Sequence, residues 1–392
     1  SWDLQMMKRT AEIAARETAA SGVHWTFSPM LDVSRDARWG RIMEGSGEDP
    51  YLISQVAIAK VTGYQGKDLS DPHTIAACAK HFAGYGFAEA GREYNTVNIG
   101  IHEMQNVVLP PFRAAAEAGV ATFMNAFNDM DGVPATGSVF LQRELLKGEW
   151  KWDGFVVSDW ASIAEMVTHG YATDLKHAAE LAIKAGSDMD MEGNAYEKNL
   201  ETLVTEGKVD LSLIDDAVRR ILRIKFRLGL FDDPYRYCDE NREKTEIYTP
   251  EHLAVARDAA RKSVVLLKNE KNILPLKKSG GGIAIIGPLA DDKDTPLGNW
   301  RAQGTANSAV SFLEGIENAL GSEVQNEKGV ELSIGKRSFM LPMTFNTTDR
   351  SGIPAAVALA KRSEVVLMVV GEDAFQSGEG RSQTGLDWAE NQ

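Results

Sequence analysis

The stretch Gly154-Phe155-Val156-Val157-Ser158-Asp159-Trp160 decides how the rest of the chain is read. Three consecutive apolar residues, Phe155 to Val157, fit the end of a strand buried on both faces, as parallel strands are. The polar residues after them bring the chain out at the strand's carboxyl end, the edge where parallel sheets keep their chemistry. From Ala161 the spacing turns helical, with Ile163, Met166 and Val167 on one face, so Asp159 falls on a strand-to-helix turn. Asp is a favoured helix cap, and this local pattern leaves a capping role and a chemical role both open.

Outward from that turn the same unit repeats. A helix over 4–20 ends at Ser21-Gly22, and a strand over 23–33 runs into a polar loop, 34–50. Tyr51 begins the next helix. A strand over 74–82, a Gly-rich loop and a helix over 101–118 follow; then a strand over 120–126 and a helix over 139–150. After Asp159 come a helix over 174–184, a strand over 187–191 and helices over 196–205 and 211–227. Strands alternating with helices at this spacing predict a parallel sheet, and polar loops after successive strands predict a site at their carboxyl ends. The pattern holds five such units, whereas a closed barrel of this class has eight. Because the chain opens directly in a helix, the expectation is that it lacks its beginning.

Residues 231–250 are polar and turn-rich, as a domain boundary is. Beyond them a helix over 251–262 leads to the apolar run 264–268, then a strand over 283–286 ending at Gly287-Pro288, a helix over 354–361 and a strand over 365–370. Three strands are few for an independent sheet, and the chain stops at Gln392, so the second block is also expected to lack its end. The resulting division is 1–232 for a first domain, 233–262 for a linker and 263–392 for the start of a second.

Composition bounds what such a chain does. Of 392 residues 43% are apolar and 25% charged, the balance of a soluble globular protein. With 42 Lys and Arg against 56 Asp and Glu the formal charge is −14, which disfavours a nucleic-acid or anionic-membrane partner and fits a neutral or cationic ligand. The two cysteines, Cys78 and Cys238, have neither metal-site nor disulfide-framework spacing, and Cys78 reads as a buried, inert thiol. No apolar stretch approaches the roughly 20 residues needed to span a bilayer.

Three constellations could carry chemistry. Arg35, Arg38, Trp39 and Arg41, followed by Glu44, Glu48 and Asp49, could grip a polyhydroxylated or anionic ligand through forked donors. They fit a salt-bridge network equally well. Lys80-His81-Phe82 closes a strand, but adjacent strand residues face opposite ways, so Lys80 and His81 share one pocket only if the backbone is distorted. The loop beyond, with Gly84, Gly86, Gly91, Glu89, Arg92 and Glu93, is too irregular for a phosphate fingerprint. Last, Glu372-Asp373 and Ser377-Gly378-Glu379-Gly380-Arg381 form an acidic, Gly-flanked loop, either a solvated surface loop or the carrier of a second carboxyl group.

Taken together these segments resemble glycoside hydrolase family 3, most closely its periplasmic bacterial β-glucosidase branch. The resemblance rests on Phe27-Ser28-Pro29-Met30-Leu31-Asp32-Val33, Arg38-Trp39-Gly40-Arg41, Gly45-Ser46-Gly47-Glu48-Asp49-Pro50, Lys80-His81-Phe82 and the Asp159 stretch, in that order and spacing. Ala185 to Met191, Gly229-Leu230-Phe231 and Ser263 to Asn269 extend it over essentially the whole chain. It implies an α/β fold, a TIM-type (β/α) barrel followed by an α/β/α sandwich, both incomplete in this chain.

The resemblance also implies an exo-acting, retaining β-glucosidase that releases terminal glucose from oligosaccharides and aryl glucosides. Asp159 matches the nucleophile, which forms a covalent glycosyl-enzyme, and Glu379 matches the general acid/base. Arg41, Lys80, His81 and Arg92 match residues that bind sugar hydroxyls; Trp160 and Phe127 fall at positions lining the same subsite. The family reaches Lys80 and His81 together through an unusual backbone at that pair. Two departures stand out. The family's sugar-binding Asp on an earlier strand has no counterpart, in line with a missing beginning, and Phe127 stands where many relatives carry Tyr. The loop after Lys80-His81 has no second His, unlike the N-acetylglucosaminidase branch. No metal or organic cofactor is implied; the expected partner is a small β-glucoside, with neither nucleic acid nor membrane, and a homodimer is expected from the resemblance alone. So is a periplasmic or secreted location. A β-xylosidase or dual-specificity enzyme is the alternative within the family, and a catalytically silent sugar-binding protein the alternative outside enzymes.

Overall fold

The computed structural model describes residues 2–278, 282–302, 304–335, 337–338, 341 and 343–386. The chain divides into two compact units: residues 1–36 with 44–265, and residues 37–43 with 266–392.

In the first unit the apolar runs form a parallel three-stranded sheet in the order Cys78–Phe82, Thr122–Asn125, Phe155–Val157. Sheet order follows chain order, as in singly wound βα folds. Two flanking segments extend it by isolated parallel bridges, Trp25 to Ala76 and Met30 to Lys80 on one side and Val157 to Met189 on the other. The strands expected over 23–33 and 187–191 are thus reduced to single-bridge contacts. In the first of these Pro29 has no N–H to give to a ladder, though its carbonyl and that of Ser28 accept from the Lys80 and Cys78 N–H groups at 3.1 and 2.9 Å, so the segment follows the sheet with an irregular ladder. All three residues of Phe155–Val157 are buried, as the unbroken apolar run requires. Phe155 and Val157 share a core with Ile75, Cys78, Met124, Ile224 and Leu228, and with Ala15 and Ala19 of the first helix, Leu4–Ala20. Burying side chains of this size contributes about 1.5–3 kcal/mol each. Among the described residues no closed barrel is formed.

The helices follow the predicted periodicity with local differences. Pro50–Gln65 starts at Pro50, capped by Asp49, whose side chain accepts from the Tyr51 and Leu52 N–H groups. The helix expected over 101–118 is interrupted by a π-helical stretch, Met104–Val108, just before Pro110 and Pro111, neither of which can donate to a preceding turn. Residues 233–262, read from sequence as a linker, carry helices Glu240–Glu246 and Pro250–Ser263. Both pack on the first helix, with Arg16 paired to Glu246 at 3.0 Å and His252 to Glu17 at 2.7 Å.

In the second unit Ile283–Ile286 is the central strand of a parallel sheet, between Gln325–Glu327 and Val365–Met368. Alternation along the central strand assigns its faces: Ala284 and Ile286 pack on Ala356 and Leu359 of helix Ile353–Lys361, while Ile285 packs on Leu313 of helix Phe312–Leu320. Helices therefore cover both faces. The apolar run 264–268 joins no strand, and Val264 to Leu267 are exposed. The third strand is the polar Gln325-Asn326-Glu327. The last residues of the expected second domain, 387–392, lie outside the described residues.

Candidate active site

In the first unit the carboxyl ends of the strands converge on Asp159. Its carboxylate has a donor on one side and an imidazole on the other: Oδ1 accepts from the Trp160 N–H at 2.7 Å, and Oδ2 lies 3.5 Å from His81 Nε2. The capping role does not hold. The cap of the following helix, Ser162–Thr168, is Ala161, with no side-chain capping bond. Ala161 has a left-handed backbone (φ 54°), and its N–H donates to the Met191 carbonyl, while the Ser158 hydroxyl accepts from the Met191 N–H. These bonds tie the turn bearing Asp159 to the neighbouring segment as well as to its own helix, whose Ser162 N–H donates to the Asp159 carbonyl at 3.0 Å.

His81 closes the strand Cys78–Phe82 and is fully buried. Its Nδ1 is 2.8 Å from Asp32 Oδ2, and the same oxygen accepts from the His81 backbone N–H at 2.9 Å. The Tyr85 ring stands edge-on to the imidazole with centroids 5.4 Å apart. Regular alternation does not apply at this strand end: the ladder to Thr122–Asn125 shifts register between Ala79 and Phe82, and the Lys80–His81 and Phe82–Ala83 peptides are cis. Lys80, with only 11% of its side chain exposed, points its ammonium to within 3.9 Å of a Glu44 carboxylate oxygen. At the start of the same strand, the Cys78 thiol is pushed up to about 12, chiefly by burial, with a smaller contribution from the Asp159 charge. It is an inert thiol, as its apolar surroundings predict.

Other residues singled out in the sequence fall as follows. Phe127 is buried between Tyr94 and Tyr85, with centroid separations of 4.9 and 5.7 Å. Trp160 is exposed beside Asp159. Arg92 is exposed, and its contacts are with Glu89, by Nε to the carbonyl at 3.2 Å and by a 3.7 Å ion pair. Among the described residues no direct contact joins it to Asp159. Arg35 pairs with Glu103 at 3.0 Å, so this member of the arginine loop follows the salt-bridge reading.

Arg41 and Glu379 belong to the second unit and meet there. Arg41, buried, lies 3.4 Å from Glu379 Oε2 and stacks near the Trp300 ring at 5.7 Å. The two segments are stitched by main-chain bonds: Gly378 N–H to the Gly40 carbonyl at 2.5 Å and Gln383 N–H to the Arg38 carbonyl at 2.7 Å. Gly40 is required by that approach, because a Cβ would overlap the Gly378 carbonyl and the Arg381 backbone. The loop 371–382 is therefore clamped by residues 37–43, although more than three hundred positions separate them.

Asp32, Glu44, Tyr85 and Trp300 were not singled out as site residues by sequence reasoning. Asp32 and Glu44 stood inside motifs already noted, and an acid closing the apolar run Met30-Leu31 was the available signal. Among the described residues no group of three or more His, Cys, Asp or Glu is arranged to hold a metal ion.

Comparison with known proteins defines the class. Residues 1–224 match the Glycosyl hydrolase family 3 N terminal domain, and residues 264–392 the Glycosyl hydrolase family 3 C-terminal domain. The chain therefore belongs to glycoside hydrolase family 3. It is 39% identical to a periplasmic beta-glucosidase of Salmonella typhimurium, over all of this chain and 53% of that protein. It is 35% identical to a beta-xylosidase of Formosa agariphila, over 99% of this chain and 54% of the relative. Among solved structures, a beta-glucosidase from Listeria innocua in complex with isofagomine superposes with a TM-score of 0.91 at 39% identity, covering 100% of this chain and 53% of that one. The chain thus spans about half the length of the relatives it matches.

Proposed function

We propose that this protein is a retaining, exo-acting β-glucosidase, with Asp159 as nucleophile and Glu379 as general acid/base. What supports the nucleophile is a carboxylate at the carboxyl end of a fully buried strand, with one oxygen on a backbone donor and the other facing an imidazole. Asp159 attacks the anomeric carbon, the glycosidic C–O bond breaks, and the leaving oxygen takes the proton of Glu379. Water then attacks the glycosyl ester, giving its proton back to Glu379 and freeing Asp159. The Arg41 guanidinium, 3.4 Å from Glu379 Oε2, orients this carboxyl group. Lys80, His81, Arg92, Arg41, Trp160 and Phe127 are proposed to bind and line the sugar. A periplasmic location is proposed from the Salmonella relative's name, and among the described residues no helix is long and apolar enough to cross a membrane.

The xylosidase names among the relatives favour a second reading, turnover of β-xylosides by the same two carboxylates. Rates on aryl β-glucoside and aryl β-xyloside at equal concentration separate the two. Asp159→Asn is expected to abolish turnover of the preferred substrate. Azide is expected to restore Glu379→Ala on a substrate with a good leaving group. Undiminished activity in the first variant, or no azide effect in the second, overturns the corresponding assignment.

A further inference from the structure

We propose that Asp32 is a positioning residue for the nucleophile, acting through His81; this rests on the glycosidase reading. The geometry is a buried relay of acid, imidazole and acid. A single Asp32 oxygen takes the His81 backbone N–H at 2.9 Å and the ring Nδ1 at 2.8 Å, and the opposite ring nitrogen faces Asp159 Oδ2 at 3.5 Å. The side chains of Asp32, His81 and Asp159 are 1%, 0% and 10% exposed, so water does not compete for these atoms.

An imidazole without a fixed partner has two tautomers and two ring orientations. Asp32 removes that freedom. A carboxylate only accepts, so the Nδ1 it touches carries hydrogen, and the two-point grip on backbone and ring fixes the ring plane. Tyr85, edge-on at 5.4 Å, blocks rotation from the side. Nε2 is then always the nitrogen presented to Asp159 and to the sugar beside it. The Trp160 N–H donates to Oδ1, and a ring of fixed plane and tautomer stands 3.5 Å from Oδ2, so both oxygens of the nucleophile have a defined neighbour before substrate arrives. Such preorganisation acts on the step in which Asp159 forms its bond to the sugar. Asp32 itself touches neither sugar nor reacting atoms in this scheme.

The test uses Asp32→Asn, which keeps the shape and removes the charge, with Asp32→Glu as the conservative variant and ¹⁵N-histidine labelling of the whole protein. Partners that orient metal-ligating histidines are typically worth roughly 10–100-fold, and the same scale is expected for a partner that orients His81. Asp32→Asn should lose about that factor in kcat, per active site titrated with a mechanism-based inhibitor, with KM changed less. Asp32→Glu should recover part of the loss. In the wild type, the ¹⁵N resonance that disappears in His81→Gln should show hydrogen on Nδ1. Unchanged kcat in folded Asp32→Asn, or a wild-type His81 with bare Nδ1, overturns the proposal while the glycosidase reading stands. A wild-type protein without glycosidase turnover sinks both. If Asp32→Asn fails to fold, the wild-type nitrogen spectrum and the Asp32→Glu kinetics decide.

Discussion

Replacing Lys147 by methionine should loosen the strand that delivers Asp159. Lys147 Nζ lies 2.7 and 2.8 Å from the two Asp188 oxygens and 2.7 Å from the Gly186 carbonyl. Asp188 Oδ2 in turn accepts the Val156 N–H at 2.8 Å, three positions before Asp159. The side chains are 5% and 0% exposed. Methionine fills the space of the stem but leaves a buried carboxylate with only its backbone donor. Breaking one side of such a pair costs about 3–5 kcal/mol. At roughly 2–4 °C per kcal/mol, the thermal midpoint should fall by about 6–20 °C. Calorimetry at pH 7 reads this directly. The sign of the pH dependence is also set. Burial, partly opposed by Asp188, draws the ammonium down to about 8, below its value in the unfolded chain. Between pH 8 and the ordinary lysine range the unfolded state therefore binds more protons. Wild type should gain on the variant there by up to about 1.4 kcal/mol per pH unit, a gain complete above the unfolded pKa and absent below pH 8. A variant within about 1 kcal/mol of wild type at pH 7 would refute the buried clamp.

Gly40→Ala drives a methyl into the backbone at Gly378 and Arg381, displacing the Glu379 loop; misplacement by about 1 Å costs on the order of 100-fold in kcat, and steady-state kinetics at wild-type rate would contradict it. Phe127→Ala removes a ring packed between Tyr85 and Tyr94 and should cost about 3–5 kcal/mol, read as a lowered denaturant midpoint at unchanged slope. Burial and the neighbouring Asp373 raise Glu372 above the ordinary carboxyl range. The folded state then binds the proton more tightly than the unfolded chain, so stability from this group is present at acid pH and lost as pH rises through the folded value. Glu372→Gln should therefore raise the melting temperature at pH 7 and lose that advantage below the unfolded pKa; equal melting temperatures at pH 7 would contradict the shift.

What could be read from the sequence followed from unbroken apolar runs. Phe155-Val156-Val157 announced a buried strand, its polar successor placed Asp159 at the carboxyl edge, and both are so in the structure. Gln325-Asn326-Glu327 gave no such signal, because its strand sits at the sheet's edge with two of its three side chains exposed. The run 23–33 signalled a strand too strongly: apolar content does not say that a ladder is regular, and Pro29, with no N–H to give, sits where this one is reduced to isolated bridges. At Lys80 and His81 alternation misled, since it presumes a regular ladder and the register shifts there. Asp32 and His81 are 49 positions apart, and Arg41 and Glu379 lie far apart in the chain, so neither pairing has any local periodicity to reveal it. Only the chemistry of the residue types pointed that way.

The most direct test of the account is to trap the glycosyl-enzyme. The protein is incubated with a 2-deoxy-2-fluoro-β-glucoside bearing a good leaving group, digested and mapped by mass spectrometry. The account predicts stoichiometric inactivation with the sugar esterified to Asp159; a label on another carboxylate, or turnover of β-glucosides with inversion at the anomeric carbon, would contradict it.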